Sequence, residues 1–199
     1  MKIKQIRDIL NIGNAKDHPE VVLAISQITD AITQMAHPIG ANGFILLNQK
    51  QANGVKPIKD TFVNSLVQQG WRTEHKLGMG HTERPGPIDA TKPILDKYFA
   101  VEWETGNISS SHRAINKMVT GILNEQLIGG ILILPSREMY YYLTDRVGNF
   151  RELEPYFDVW QRANYSVSKG YLSVIEIEHD DVSNNVPKIP KGTDGRALV

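Results

Sequence analysis

The chain has 199 residues, with 22 basic and 22 acidic side chains and no cysteine. This length suits one globular domain, and the lack of cysteine excludes a disulfide scaffold, a zinc ribbon and a cysteine nucleophile. A formal net charge of zero argues against a protein that coats nucleic acid by bulk attraction, although it allows basic groups to be gathered on one face.

The first half of the chain alternates helical and strand patterns. Apolar residues recur every three or four positions in the first predicted helix, where Asp17 and Glu20 fit a capping box. The three glycines and two prolines within 78–87 are typical of a loop. In chain order, the predicted elements are a helix at 17–35, a short strand or loop at 44–47, a helix at 57–69, a strand at 71–77 and a strand at 97–105.

The second half continues the alternation. An all-apolar run at 131–134 predicts a central strand covered on both faces. The other predicted elements are a helix that opens at 109–111 and is closed by Gly129 and Gly130, a helix at 139–143 and a strand at 171–177. The pattern predicts an α/β or α+β fold in which helices flank a central mixed sheet. We place one domain at 1–179 and a polar tail or arm at 180–199.

No apolar run approaches the length of about 18 residues that a membrane-spanning helix needs. The first residues, MKIKQIRDILNIG, are too polar for a signal peptide, and their apolar part is too short. We therefore expect a cytoplasmic protein with no membrane contact.

Two glutamates interrupt the apolar strand at 97–105. Alternate side chains of a strand point to the same face, so Glu102 and Glu104 project together, about 7 Å apart. Two such like charges repel unless a positive charge lies between them, and Mg²⁺ is a cation that prefers carboxylate oxygens. A third carboxylate, Asp89 or Asp96, could join them if the segment folds back as a hairpin.

The same alternation also describes the solvent-exposed face of an antiparallel strand. Spacing alone therefore leaves two interpretations of Glu102 and Glu104, a metal site and a solvated face. In the first case, a carboxylate cluster that holds Mg²⁺ beside a phosphodiester can activate a water molecule and stabilise charge on the phosphoryl oxygens.

The segment GPID at 86–89, followed by FAVEWE at 99–104, resembles the signature of the PD-(D/E)XK nucleases. More narrowly, it resembles the BglII/BstYI/BamHI group of type II restriction endonucleases, in which Glu or Gln replaces the last lysine of the motif. The order of the surrounding elements is similar over residues 55–178. The resemblance implies a restriction-endonuclease-like core.

The resemblance also implies roles for individual residues. Asp89 and Glu102 would be metal-binding carboxylates, and the carbonyl group of Trp103 a further ligand. Glu104 would stand in the place of the lysine and position or activate the attacking water. The stretch before Glu102 is longer than in the closest members, so Asp96 competes for the role of first carboxylate; we prefer Asp89 because an apolar strand residue precedes it.

DNA contacts follow from the same resemblance. Serines at a helix N-terminus can bind phosphate, although they can equally be plain helix caps. An arginine there can contact a phosphate or a guanine edge, or simply be solvated. The candidates are Asn107, Ser109, Ser110, Ser111, Arg113, Ser136 and Arg137, with Lys188, Lys191 and Arg196 as a possible arm along a groove.

The function implied is that of a type II restriction endonuclease that cuts double-stranded DNA with one or two Mg²⁺ per active site, leaving 5′-phosphate and 3′-hydroxyl ends. A symmetric DNA site implies a homodimer, with the helix at 111–124 at the interface. A GATC-centred site and a companion methyltransferase are further expectations. The alternatives are a repair or modification-dependent nuclease of the same superfamily and a DNA-binding module without catalysis.

Overall fold

The structure is a computed structural model, and it describes residues 1–77, 86–144 and 146–192. The strands are β1 (Lys2–Ile12), β2 (Ile45–Leu47), β3 (Arg72–His75), β4 (Ile88–Ile94), β5 (Lys97–Trp103), β6 (Leu127–Pro135), β7 (Gly170–Glu178) and β8 (Asp181–Ser183). The helices are α1 (Pro19–Thr33), α2 (Val55–Gln68), α3 (Ile108–Leu123), α4 (Arg137–Tyr140), α5 (Phe150–Leu153) and α6 (Phe157–Gln161).

Six strands form the central sheet in the order β1-β7-β6-β5-β4-β3. β5, β6 and β7 run parallel, whereas β3, β4 and β5 pair antiparallel and β1 lies antiparallel to β7. The predicted mixed central sheet is therefore confirmed. The parallel arrangement puts the carboxyl ends of β5, β6 and β7 at one edge of the sheet, which is where ligands bind in many sheets of this kind.

Helices cover both faces of this sheet. Buried side chains of α1 and α2 pack with Ile131 and Ile133 of β6 on one face. Those of α3, α5 and α6 pack with Leu132 and Leu134 on the other. All nine residues of β6 are buried, as expected for a strand that is covered on both faces.

The sequence predicted that Gly129 and Gly130 close the preceding helix. This prediction is wrong, because both glycines lie inside β6. α3 ends earlier, at Leu123. A Cβ atom on Gly130 would lie 2.5 Å from Sδ of Met118 in α3. Glycine is needed here because the helix approaches the sheet closely, and not because a helix ends.

The predicted cap of α1 is also wrong. α1 begins at Pro19, and Asp17 belongs to a short 3-10 turn. The residue before the helix is His18, which makes no side-chain capping hydrogen bond. Glu20 instead accepts a hydrogen bond of 3.3 Å from the amide of Leu95, in the turn between β4 and β5.

Besides β8, the elements β1, α5 and α6 had no counterpart in the sequence predictions. Most side chains in the first half of β1 are exposed, because this strand lies at the edge of the sheet. A strand with polar side chains on both faces shows no apolar alternation. α5 and α6 have four and five residues, too few for a helical period to repeat.

The segment predicted as a tail or arm from 180 onward is in part integrated into the fold. β8 pairs in parallel with β2, and Ile189 is only 5% exposed. The carbonyl oxygen of Ile189 accepts a hydrogen bond of 2.9 Å from the amide of Gly54, directly before α2. Residues 180–192 therefore pack against the body, because they pair their backbone and bury an apolar side chain. Arg196 lies outside the described residues.

The loop predicted at 78–87 also lies outside the described residues, apart from its last two positions. Among the helices of the described ranges, none is long and apolar enough to cross a membrane.

Candidate active site

The hairpin of β4 and β5 places Asp89 beside Glu102. The antiparallel register pairs Ala90 with Val101, so Asp89 and Glu102 form the next pair along the strands. The amide of Asp89 donates to Oε2 of Glu102 at 3.3 Å. The amide of Trp103 donates to Oδ2 of Asp89 at 2.8 Å. The two carboxylates are thus held side by side by the strand pairing itself.

The competing carboxylate, Asp96, is exposed in the turn between Ile94 and Lys97, at the other end of the hairpin. The sequence favoured Asp89 as the first carboxylate because the apolar residue Ile88 precedes it, and Ile88 is fully buried in the structure. The structure therefore brings Asp89, and not Asp96, to the acidic strand.

Asp89, Glu102 and Glu104 line one open pocket of about 340 Å³, together with Trp103. Glu102 is 8% exposed and Glu104 is 5% exposed. The interpretation of these glutamates as a solvated strand face is therefore wrong. Burial of carboxylates costs free energy unless they are paired, so this cluster is a candidate for a functional site.

Glu102 is paired with Lys117 of α3. The Nζ atom of Lys117 lies 2.5 Å from Oε1 of Glu102 and 2.9 Å from the carbonyl oxygen of Pro87. Burial and the neighbouring charge of Asp89 raise the pKa of Glu102 to about 7, although Lys117 opposes this rise. The protonation of Glu102 is therefore sensitive to any further positive charge that enters the pocket.

Asp89 is paired in the same way with Lys59 of α2. The Nζ atom of Lys59 lies 2.9 Å from Oδ1 of Asp89. Burial lowers the pKa of Lys59, but its hydrogen bond and attraction to Asp89, together with the charges of Glu74 and Asp60, raise the pKa above its usual value. Lys59 therefore stays charged and balances Asp89.

Sequence reasoning missed both lysines. Lys117 had a usable signal, because Ser110, Arg113 and Ala114 precede it at helical spacing and line the same pocket. Lys59 had none, since it reaches Asp89 from a helix 30 positions earlier in the chain.

Glu104 is held by the connection that follows β5. Its Oε1 atom accepts a hydrogen bond of 2.6 Å from the amide of Gly106. Its Oε2 atom accepts one of 2.6 Å from the hydroxyl of Ser111. Burial raises the pKa of Glu104, although these two donors favour its charged form. The carboxylate is therefore fixed in one orientation beside Asp89 and Glu102.

The donor set suits a hard divalent cation. Carboxylate oxygens and a main-chain carbonyl group are the ligands that Mg²⁺ accepts, with water completing its shell. Burial is the main cause of the raised pKa of Glu102 and the charge of Asp89 adds to it, so a cation in the pocket would favour the charged form of Glu102. Within the described ranges, no three acidic or histidine side chains are arranged so that they could hold a metal ion by themselves. A cation here would therefore need further oxygen ligands besides these carboxylates, from the main chain or from water.

The residues predicted to contact DNA fall into two places. Ser110 and Arg113 line the carboxylate pocket, and the guanidinium of Arg113 donates to the Ser110 hydroxyl at 2.9 Å. Asn107 and Ser109 are exposed beside them, and the side chain of Asn107 accepts from the amide of Ser109 at 3.1 Å. Ser111 is fully buried against Glu104, so it presents no surface to a ligand.

The other two predicted residues lie away from the carboxylates. Arg137 lines a second pocket of about 610 Å³ with Lys50 and Arg146, neither of which was predicted. Its guanidinium lies 4.6 Å from the ring centre of Tyr140. Ser136 is fully buried and accepts from the amide of Met139, so it is the cap of α4. Lys188 and Lys191 are exposed on the segment that follows β8.

The family profile described as Restriction endonuclease BamHI matches residues 1–196. The chain belongs to the BamHI restriction endonuclease family. It is 54% identical over 198 residues to the type II restriction enzyme OkrAI of Oceanobacter kriegii, covering 100% of both chains. It is 35% identical over 180 residues to the type II restriction enzyme BamHI of Bacillus amyloliquefaciens, covering 86% of this chain and 81% of that enzyme.

Solved structures of BglII share the fold. The complex of that enzyme with a DNA 16-mer has a TM-score of 0.64 at 12% identity, over 95% of this chain and 88% of the other. Free BglII has a TM-score of 0.52 at 12% identity, over 90% and 81%. The predicted restriction-endonuclease-like core is confirmed. As a member of the BamHI family, the chain is a type II restriction enzyme, that is, a site-specific deoxyribonuclease, and this prediction is also confirmed.

Proposed function

We propose that the pocket formed by Asp89, Glu102 and Glu104 hydrolyses phosphodiester bonds of double-stranded DNA with Mg²⁺, leaving 5′-phosphate and 3′-hydroxyl ends. The observation that supports this most is the gathering of three carboxylates around one open pocket: Glu102 and Glu104 are buried, Asp89 is partly buried, and Asp89 and Glu102 are balanced by lysines. Relatives named as type II restriction enzymes add support.

Asp89, Glu102 and the carbonyl group of Trp103 are the proposed ligands of one or two Mg²⁺. When bound, the metal supplies charge that stabilises the phosphoryl oxygens and lowers the pKa of a water molecule. Glu104, fixed by Gly106 and Ser111, orients the attacking water and accepts its proton.

Duplex DNA is the proposed partner, and the structure of BglII in complex with a DNA 16-mer supports DNA binding by this fold. Arg113 and Ser110 at the pocket, with the exposed Asn107 and Ser109 of the same helix start, are placed to contact the phosphate next to the scissile bond. Arg137 would contact DNA from the second pocket, where Lys50 and Arg146 add positive charge. For the remaining candidates we propose structural roles: Ser111 holds the carboxylate of Glu104, and Ser136 caps the start of α4.

A symmetric duplex site requires two active sites related by a twofold axis, so we propose a homodimer. The helix at 111–124 is the proposed interface element. Two observations support this: Leu123 at its end is 44% exposed, and Tyr156 beside His112 is 48% exposed. A GATC-centred recognition sequence and a companion methyltransferase for the same site complete the proposal.

Digestion of long unmethylated duplex DNA tests it, with Mg²⁺ and separately with Ca²⁺. We expect discrete fragments in Mg²⁺ alone, and none with Glu102→Ala; sequencing the fragment ends gives the site. A requirement for modified bases would favour a modification-dependent nuclease. A shifted DNA band without cutting in either ion, unchanged by Glu102→Ala, would instead indicate a binding module.

A further inference from the structure

Glu104 is held in place by a residue that itself has no access to the pocket. The Ser111 hydroxyl donates to Oε2 of Glu104 at 2.6 Å, while the Gly106 amide holds Oε1. Ser111 is fully buried in the first turn of α3. Its hydroxyl is therefore committed to the carboxylate and does not reach a ligand.

A second segment, which contains Gly148 and precedes α5, packs against Gly106 and Ser111. The amide of Gly148 donates to the carbonyl oxygen of Gly106 at 2.7 Å. A Cβ atom on Gly148 would lie 2.5 Å from Oγ of Ser111 and 3.1 Å from Cα of Ile108. The first distance is too short for any real contact, so a side chain at position 148 and the hydroxyl of Ser111 cannot both keep these positions.

We propose that Ser111 and Gly148 are positioning residues for Glu104. The Ser111 hydroxyl fixes the direction of the carboxylate, and the missing side chain at Gly148 leaves room for that hydroxyl. The inference rests on the proposed role of Glu104 in catalysis. A carboxylate that orients water must be accurately placed, since a displacement of about 1 Å can lower a rate roughly 100-fold.

The test compares Ser111→Ala, Gly148→Ala and the double variant in single-turnover cleavage of a duplex that the wild-type protein cuts. Each single variant is expected to lower the rate roughly 10- to 100-fold. The double variant is expected to lose less than the product of the two single losses, because without Oγ the nearest atom to the new methyl group is Cα of Ile108, at 3.1 Å, and no longer Oγ at 2.5 Å. DNA affinity in Ca²⁺ is expected to stay at the wild-type value, since neither residue lines the pocket.

Ser173→Ala is the matched control, because Ser173 is equally buried but lies in β7, away from the pocket. It should leave the cleavage rate unchanged. Thermal unfolding midpoints separate positioning from loss of fold. If Ser111→Ala lowers the unfolding midpoint more than Ser173→Ala does, the cleavage rate of Gly148→Ala decides the question, because this variant retains the Ser111 hydroxyl.

Glu104→Gln separates this inference from the proposed function. A wild-type rate for Ser111→Ala, with Glu104→Gln inactive, would overturn the positioning role and leave the proposed function standing. Equal losses from Gly148→Ala with and without the Ser111 hydroxyl would show that Gly148 does not act through Ser111. An active Glu104→Gln, or a wild-type protein that cuts no duplex, would overturn both.

Discussion

The ammonium of Lys117 lies 2.5 Å from the carboxylate of Glu102, in the pocket where the sequence predicted a divalent cation. Lys59 lies 2.9 Å from Asp89 in the same way. Asp89 and Glu102 are thus each paired with a lysine. The two positive charges partly offset the free energy cost of removing these carboxylates from water. The chain itself therefore supplies part of the positive charge that this acidic cluster needs.

Removal of one lysine should destabilise the protein and strengthen its response to Mg²⁺. Lys59→Met leaves Asp89 with the amide of Trp103 as its donor, so we expect the free energy of unfolding to fall by about 1–3 kcal/mol. Added Mg²⁺ should raise the unfolding midpoint of this variant more than that of the wild-type protein, because it supplies the missing charge. Thermal unfolding with and without Mg²⁺ measures both effects.

Lys56→Met is the matched control, since Lys56 pairs with Asp60 on the same helix and both side chains are more than 40% exposed. We expect a change of about 0.5 kcal/mol or less and no added response to Mg²⁺. Equal behaviour of the two variants would show that Lys59 does not balance the acidic cluster.

Glu102 should make the metal-free protein less stable as the pH rises. Its folded pKa is raised from 4.5 to about 7, so folding takes up a proton between these pH values and the free energy of unfolding falls as pH increases. Glu102→Gln removes this dependence. From pH 4 to pH 8, the variant should gain about 3 kcal/mol relative to the wild-type protein in denaturant unfolding. A difference that does not change with pH would contradict the cause assigned to the raised pKa.

The first metal carboxylate is tested by two asparagine substitutions in the same hairpin. Asp89→Asn should abolish cleavage in Mg²⁺, because it removes charge next to Glu102. Asp96→Asn should cut at the wild-type rate, since Asp96 is exposed in the turn at the far end. Time courses on one plasmid substrate decide between them. The reverse result would move the metal site out of the pocket described above.

The proposed dimer is tested at the end of α3. Leu123→Glu places a charge on a 44% exposed apolar side chain, and we expect it to shift the protein from dimer to monomer in sedimentation velocity. Val67→Glu changes a 45% exposed side chain on α2 and should leave the dimer intact. If neither substitution changes the sedimentation of the protein, this helix is not the interface.

Local patterns predicted the parts of the site that one strand carries. Glu102 and Glu104 stand out because they interrupt an apolar strand, and Ile88 identified Asp89 as a strand residue. The paired lysines come from two helices whose approach depends on packing over the whole sheet, which no short window of sequence contains.

Ser111 illustrates the same limit. A serine at a helix start predicts a cap or a phosphate contact, and the phosphate contact requires an exposed side chain. Ser111 is fully buried, and Gly148, which is 37 positions away in sequence, packs against it. The edge strand β1 was missed for a related reason: its partner β7, and not its own composition, makes it a strand.

That pairing has a consequence for how the protein is made. Lys2 is opposite Glu178 in the register of β1 and β7, so the first strand finds its partner only after almost the whole domain has been synthesised. A nascent chain held on the ribosome therefore keeps an open sheet edge, which is a site for wrong pairing. Assembly of the complete sheet is a late event, and shortened products of translation should lack its outer strand pair.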